Sequence, residues 1–289
     1  MADLAELARQ VAAPAGRILV ITDFDGTIAE IDPDPMGARV EPAARRALRR
    51  LAALAEDDPG RLALAVLTGR AVSDVASRVR VGGVRYLGNH GLDEAWLARH
   101  GRVEGLLTRT SQSGGDSPAA RLGLGVAASL GDPAWLFIEV KGDSVALHYR
   151  QAPDHEAAGR AIGAAVDAAI AGGDAGLERF DGRLIVELRP AGAGGKGAAV
   201  RRLLGEFRPA SVLSIGDDVS DAEGFGVLRR ERAAGRLATL NVGVHDRRAT
   251  PPELLAAADL MLAAPRESGR LLSALATLLE RAYGPPESA

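Results

Sequence analysis

Short, fully apolar runs alternate along this chain with longer stretches in which apolar residues recur every three or four positions. The first run, Ile18-Leu-Val-Ile21, reads as a buried strand, because a parallel strand covered on both faces is apolar throughout. A helical pattern follows from Pro42 to Ala55, then an apolar strand from Leu62 to Leu67 ending in Thr68-Gly69-Arg70, then a helix from Ala71. Tyr86-Leu-Gly-Asn-His90-Gly91 ends a third strand, and this alternation predicts parallel β/α units. From about Asp93 the rhythm changes. Ser111 to Pro118 is turn-rich, Trp135 to Val140 and Val145 to Tyr149 read as a hairpin, a helix spans His155 to Ala171, and strands cover Leu177 to Phe180 and Leu184 to Leu188. Alternation resumes with a helix after Lys196, strands Val212 to Ile215 and Leu237 to Val242, and a terminal helix ending near Tyr283. The pattern predicts an α/β core in two parts, residues 1–93 and 191–289, interrupted by an inserted α+β cap over 94–190.

Chemistry is concentrated where the predicted strands end. The first apolar run stops in Asp23-Phe-Asp25-Gly26-Thr27, which puts two carboxylates at the mouth where ligands of parallel sheets sit. Gly26 permits a sharp turn, and the Thr27 hydroxyl can fix a neighbouring carboxylate. Asp23 is the expected nucleophile toward phosphorus, and Asp25 the acid that protonates a leaving oxygen and later the base for water. An EF-hand loop starting at Asp23 is excluded, since Thr27 and Ile28 stand where an acid or Asn and a Gly are needed. Val212-Leu-Ser-Ile215 ends likewise in Gly216-Asp217-Asp218-Val-Ser-Asp221. Taken alone, these acids would cap the following helix; beside the first pair, they suit one hard cation, Mg2+. Asp23, the Asp25 carbonyl, Asp217 and Asp221 are the expected ligands, with Asp218 behind them.

Other motifs narrow the choice. Gly192-Ala-Gly-Gly-Lys196-Gly lacks Walker spacing, because Pro190 stands where Gly is needed and Gly197 where Ser or Thr is. What remains is a lysine at a helix start, where an ammonium and exposed N–H groups favour phosphate. Thr68-Gly69-Arg70 offers a hydroxyl and helix N–H groups in the same way. Gly123-Leu-Gly125-Val-Ala-Ala128 follows no strand, so it is no dinucleotide fingerprint. The chain has neither G-x-S-x-G nor H-E-x-x-H, and its five histidines show no metal-ligand spacing. With 289 residues and 47% hydrophobic content a sizeable core can form, while a net charge of −3 gives no basic footprint for nucleic acid. There is no cysteine, no signal-peptide pattern and no membrane-length apolar run, so a cytoplasmic protein without a membrane partner is expected; a monomer acting on a small molecule, with no nucleic-acid partner, is the expected form.

In their order, D-x-D-G-T, T-G-R, G-K-G and G-D-D-x-x-D resemble the haloacid dehalogenase superfamily of phosphatases. More narrowly, Gly88-Asn-His-Gly-Leu, Glu139-Val-Lys141, Leu147-His-Tyr-Arg150, Glu187-Leu-Arg-Pro190 and Gly216-Asp-Asp-Val-Ser-Asp221 resemble its trehalose-6-phosphate phosphatase family. The resemblance implies a Rossmann-like parallel-sheet core with an α+β cap, and a Mg2+-dependent phosphatase of trehalose 6-phosphate working through an aspartyl-phosphate. It implies catalytic roles for Asp23, Asp25, Thr68 and Lys196, and metal contacts from Asp23, Asp25, Asp217, Asp218 and Asp221. Substrate contacts are expected from Thr27, Gly69, Arg70, Asn89, His90, Glu139, Lys141 and Arg150. Another sugar phosphate (sucrose 6-phosphate, glucosyl or mannosyl phosphoglycerate) or a phosphosugar mutase activity stays open. The chain departs from the family in Ser220-Asp221-Ala222, where Thr-Asp-Glu is usual, with Glu223 one place later.

Overall fold

The structure is a computed structural model, and it describes residues 3–32, 34, 36–101, 107–109, 117–141, 143–173, 176–182, 184–191, 194–245 and 249–283. In chain order its first elements are α1 (Leu4–Ala12), β1 (Ile18–Thr22), α2 (Pro42–Asp57), β2 (Leu62–Leu67), α3 (Val72–Val79), β3 (Val84–Gly88), β4 (Asp93–Leu97) and β5 (Leu107–Arg109). Then come α4 (Pro118–Ser129), β6 (Phe137–Lys141), β7 (Ser144–His148), α5 (His155–Gly172), β8 (Leu177–Gly182) and β9 (Ile185–Pro190). The last are α6 (Gly195–Phe207), β10 (Ser211–Gly216), α7 (Val219–Ala233), β11 (Ala238–Val244), α8 (Pro252–Ala257), β12 (Leu260–Leu262) and α9 (Pro265–Tyr283). The turn-rich stretch expected at Ser111 to Pro118 lies, apart from its last two residues, outside the described residues.

Two compact units result, Met1–Arg109 with Gly195–Ala289, and Thr110–Gly194. The first holds an eight-stranded sheet in the order β12-β11-β10-β1-β2-β3-β4-β5, parallel except at β3–β4 and β4–β5. The central strands are apolar on both faces because both are covered. In β1, Ile18 and Val20 face α1, α2 and α9, while Leu19 and Ile21 face α6 and α7. Leu62, Leu64 and Val66 of β2 take the first side and Ala63, Ala65 and Leu67 the second. Burying one such Leu, Ile or Val side chain contributes about 1.5–3 kcal/mol, so the strands at the centre are the most strongly fixed. The two acidic motifs then follow the carboxyl ends of a well-anchored β1 and β10.

The second unit is a four-stranded antiparallel sheet, β6-β7-β9-β8, with α4 and α5 packed on one face through Val126, Ile162 and Val166 against Val145, Leu147, Val186 and Leu188. The expected hairpin is the β6–β7 pair, with Ile138 opposite Leu147. Gly123 and Gly125 lie within α4, where Gly123 approaches Val145 too closely for a Cβ. The two units divide the chain differently from the 94–190 boundaries expected from the sequence. β4 and β5 extend the core sheet antiparallel, and charged residues in Asp93-Glu-Ala-Trp-Leu97 obscured a strand whose one face, Asp93, Ala95 and Leu97, is buried. No helix among the described residues is long and apolar enough to cross a membrane.

Candidate active site

The two acidic strand ends lie side by side. Thr22 pairs with Ile215 in register, and Asp23 N–H donates to the Ile215 carbonyl at 2.9 Å, so ladder bonding carries through to the first aspartate. Gly26 then turns at φ +70°, a conformation that costs an L side chain, and a Cβ there would sit 2.0 Å from Asp217 Oδ2. The glycine is therefore demanded by conformation and by contact together. The turn brings the buried Thr27 hydroxyl to Asp217, donating to Oδ1 at 3.0 Å. Gly216 is required on the other strand, since a Cβ would lie 2.2 Å from Asp221 Cγ.

Asp217, Asp218 and Asp221 stand at the junction of β10 and α7, where helix capping and the approach to Asp23 meet. Asp218 caps α7, its Oδ1 accepting from Val219 N–H at 2.8 Å. Asp221, in the first turn, accepts from the N–H groups of Asp217 and Asp218 at 3.2 Å each. Its other oxygen accepts from Lys196 Nζ at 2.8 Å. The lysine, at the start of α6 and 2% exposed, also lies 3.2 Å from Asp23 Oδ1.

Oxygens of Asp23, Asp217 and Asp221 converge, all within 4.8 Å of one another and all from buried side chains. Three carboxylates thus face a single ammonium. Burial pushes the Asp23 carboxyl up to about 7, with Lys196 opposing and Asp221 and Asp25 adding repulsion. Burial raises Asp217 well above the usual carboxylate range too, reinforced by Asp23, Asp221 and Asp218. For Lys196 burial acts downward, but Asp221 and Asp23 outweigh it and hold the ammonium charged. Asp23 Oδ1 is buried yet takes no hydrogen bond, despite the nearby Lys196. A hard divalent cation fits this donor set: the oxygens are right, the residual charge is negative, and a buried lone pair is available.

The remaining candidates divide between places. Thr68, buried at the end of β2, accepts from Arg70 N–H through its hydroxyl at 3.2 Å. The turn Asn89–Gly91 wraps around it: Asn89, His90 and Gly91 all have positive φ, and N–H groups of Asn89 and His90 donate to the carbonyls of Arg70 and Thr68. Gly69 is fixed between them, because a Cβ would meet His90 Nε2 at 2.8 Å. Thr27, expected among substrate contacts, is buried against Asp217, and Arg70 is engaged by carboxylates rather than facing open space. The Asp25 and Asp218 carboxylates stand outside the converging trio, one on Arg70 and the other on the α7 cap.

In the second unit, Glu139 of β6 shares a 2.9 Å hydrogen bond with His148 Nε2. Lys141 closes that strand, its side chain outside the described residues, and Arg150 follows β7, its carbonyl 3.0 Å from His155 Nε2. Glu187 and Arg189 of β9 alternate with the core residues Val186 and Leu188 and so occupy the sheet face away from α4 and α5, both buried. Arg189 lies 4.3 Å over the Phe180 ring. Two further charged residues escaped sequence reasoning, Asp74 and Arg78 on α3. Asp74 lies four residues after Arg70 and Arg78 four after Asp74, and that helical spacing was the available signal.

Comparison with known proteins gives this geometry a family. A curated Mycobacterium avium trehalose-phosphate phosphatase is 31% identical over 271 residues, covering 92% of this chain and 63% of its own length. An uncharacterized glycosyl hydrolase of Mycobacterium tuberculosis is 34% identical over 225 residues, covering 74% of the chain but 15% of its own length. The chain therefore spans only part of the relatives it matches. In fold it is similar to the C-terminal domain of Candida albicans trehalose-6-phosphate phosphatase, with a TM-score of 0.74 at 20% identity over 96% of this chain and 97% of that one. The family model for trehalose-phosphatase matches residues 21–105 and 136–250, and with them Asp23, Thr68, Asn89, Lys196 and Asp217. The chain belongs to the trehalose-phosphatase family.

Proposed function

We propose that the chain is a phosphoric monoester hydrolase that releases phosphate from trehalose 6-phosphate, with Mg2+ as cofactor and Asp23 as nucleophile. The observation that carries this reading is the Asp23 carboxylate: buried at a strand end, one oxygen unbonded, with Lys196 at 3.2 Å. In the first step an Asp23 oxygen attacks phosphorus, the bond from phosphorus to the sugar oxygen breaks, and Asp25 gives that oxygen its proton. In the second, water attacks the same phosphorus, the bond to Asp23 breaks, and Asp25 takes the proton of the water. Lys196 and the Thr68 hydroxyl hold the phosphate oxygens. The Asp23, Asp217 and Asp221 carboxylates, with the Asp25 carbonyl, would hold Mg2+, and Asp218 and Thr27 keep the α7 turn and Asp217 in place. When bound, Mg2+ supplies positive charge against the repulsion between a carboxylate and a dianionic phosphate.

Glu139, Lys141 and Arg150 are assigned to the sugar hydroxyls, together with Asn89 and His90. Family membership and the charged residues on the face of the β6-β7-β9-β8 sheet away from α4 and α5 support that assignment. The test is Mg2+-dependent phosphate release from trehalose 6-phosphate, sucrose 6-phosphate, glucose 6-phosphate, and glucosyl and mannosyl phosphoglycerate, with Asp23→Asn as control. Selectivity for trehalose 6-phosphate is expected. Release from a different sugar alone would move the substrate, and transfer between sugar positions without free phosphate would replace hydrolysis by a mutase reaction.

A further inference from the structure

All three guanidinium nitrogens of Arg70 are engaged. Nε and Nη2 donate to the two oxygens of Asp25 at 2.6 and 2.7 Å, a bidentate fork, and Nη1 donates to Asp74 Oδ2 at 2.8 Å. The side chain lies 5.3 Å over the fully buried Phe24 ring, which fixes the guanidinium plane. Asp74 is held in turn by Arg78 Nε at 2.7 Å, and Arg78 Nη1 donates to the carbonyls of Met36 and Ala38 at 3.0 Å each. The backbone of Arg70 is tied as well, through its N–H to Thr68 and its carbonyl to Asn89 N–H. A dianionic phosphate approaching this guanidinium would meet two carboxylates already bound to it.

We propose that Arg70 is a positioning residue for Asp25 and not a ligand of the substrate phosphate, with Asp74 and Arg78 bracing it from α3. The inference rests on the acid and base role given to Asp25 above. A fork fixes both position and plane of a carboxylate, and each oxygen keeps a further lone pair for the reacting proton. A protonated carboxyl accepts from the guanidinium on one oxygen only, so the fork relaxes to a single bond in the acid form and the tether persists. The turn after β1 thus supplies the carboxylate, and Arg70, just before α3, aims it.

The experiment compares kcat/KM and KM of wild type, Arg70→Met, Arg70→Lys and Asp74→Asn on two substrates, and adds the inhibition constant of inorganic phosphate. Trehalose 6-phosphate has an alkoxide leaving group that needs a proton; p-nitrophenyl phosphate does not, and kcat/KM reports the steps through departure of that group. Arg70→Met is expected to lower kcat/KM on the sugar phosphate about 10²-fold, a typical share for a general acid, and to change the aryl substrate much less. Phosphate inhibition should stay unchanged. Arg70→Lys should restore only part, since an ammonium cannot form the fork, and Asp74→Asn should show a smaller loss of the same pattern. Equal losses on both substrates with weakened phosphate inhibition would overturn the proposal and make Arg70 a phosphate ligand. Should Arg70→Met not fold, the lysine and Asp74 variants carry the same comparison. A wild-type enzyme inactive on trehalose 6-phosphate but active on another sugar phosphate would remove the substrate reading alone, and the comparison would run on that substrate.

Discussion

Adding one methyl group at Gly26 should inactivate this protein, although Gly26 touches no proposed substrate atom. Its φ of +70° costs an L side chain about 1–2 kcal/mol. The new Cβ would also lie 2.0 Å from Asp217 Oδ2 and 2.4 Å from Cγ, where ordinary contact begins at 3.4 Å. The Asp217 carboxylate must therefore retreat by about 1.4 Å (3.4 less 2.0), which forfeits the 3.0 Å Thr27 bond, worth about 1 kcal/mol. The sum is about 2–3 kcal/mol of stability, which in a chain this long lowers Tm by roughly 5–10 °C. A displacement of about 1 Å within a charged site costs about 10² in rate. Gly26→Ala should consequently fold, melt earlier, lose about 10²-fold or more in kcat and need a higher Mg2+ concentration for half activity. Circular dichroism melts and phosphate release across a Mg2+ titration read all three. Wild-type rates with an unchanged Mg2+ requirement would refute the contact argument and the metal role of Asp217 together.

Four further outcomes follow from the same geometry. The Asp23 carboxyl, pushed to about 7 by burial, lies above its unfolded value of 3.8, so the metal-free fold keeps that contribution below about pH 4 and loses it as pH rises through about 7. Mg2+ should then raise Tm more at pH 8 than at pH 5, and an equal shift at both would contradict the pairing of Mg2+ with Asp23. Thr27→Val should cost about 1 kcal/mol and lower kcat about tenfold by freeing Asp217, read from melts and initial rates. Asp25→Asn should slow trehalose 6-phosphate turnover by about 10²–10⁴; a near-normal rate would remove its acid and base role. Lys141→Ala should raise KM for the sugar phosphate and leave p-nitrophenyl phosphate unaffected, whereas parallel losses would argue against sugar reading by the β6–β7 hairpin.

The parts of the fold legible in the sequence are those where one physical requirement acts alone. β2, covered on both faces, is apolar from Leu62 to Leu67 and its limits agree with the expectation residue for residue. α2 and α5 begin where Pro42 and the Asp154 cap place them. β4 was not legible because only one of its faces is buried, and α4 because Gly123 and Gly125 weaken its helical signal. In the site, strand ends forecast Asp23 and Asp217 together, since the β1–β10 register decides their approach, and the first turn of α7 brings Asp221 to them. The Arg70–Asp25 fork was not legible: T-G-R fixes a backbone turn, while the partner of the guanidinium depends on how the segments after β2 and β1 meet. Asp218 and Asp221 show why the capping and metal readings could not be separated by letters, as one acid of the turn caps α7 while another converges with Asp23 and Asp217.

The central claim is that phosphate passes through Asp23. Wild-type protein mixed with Mg2+ and isotope-labelled trehalose 6-phosphate, quenched in acid within one turnover and mapped by mass spectrometry, tests it directly. Label on Asp23, absent from Asp23→Asn, is the predicted result; label on another residue, or phosphate release by Asp23→Asn at the wild-type rate, would contradict it.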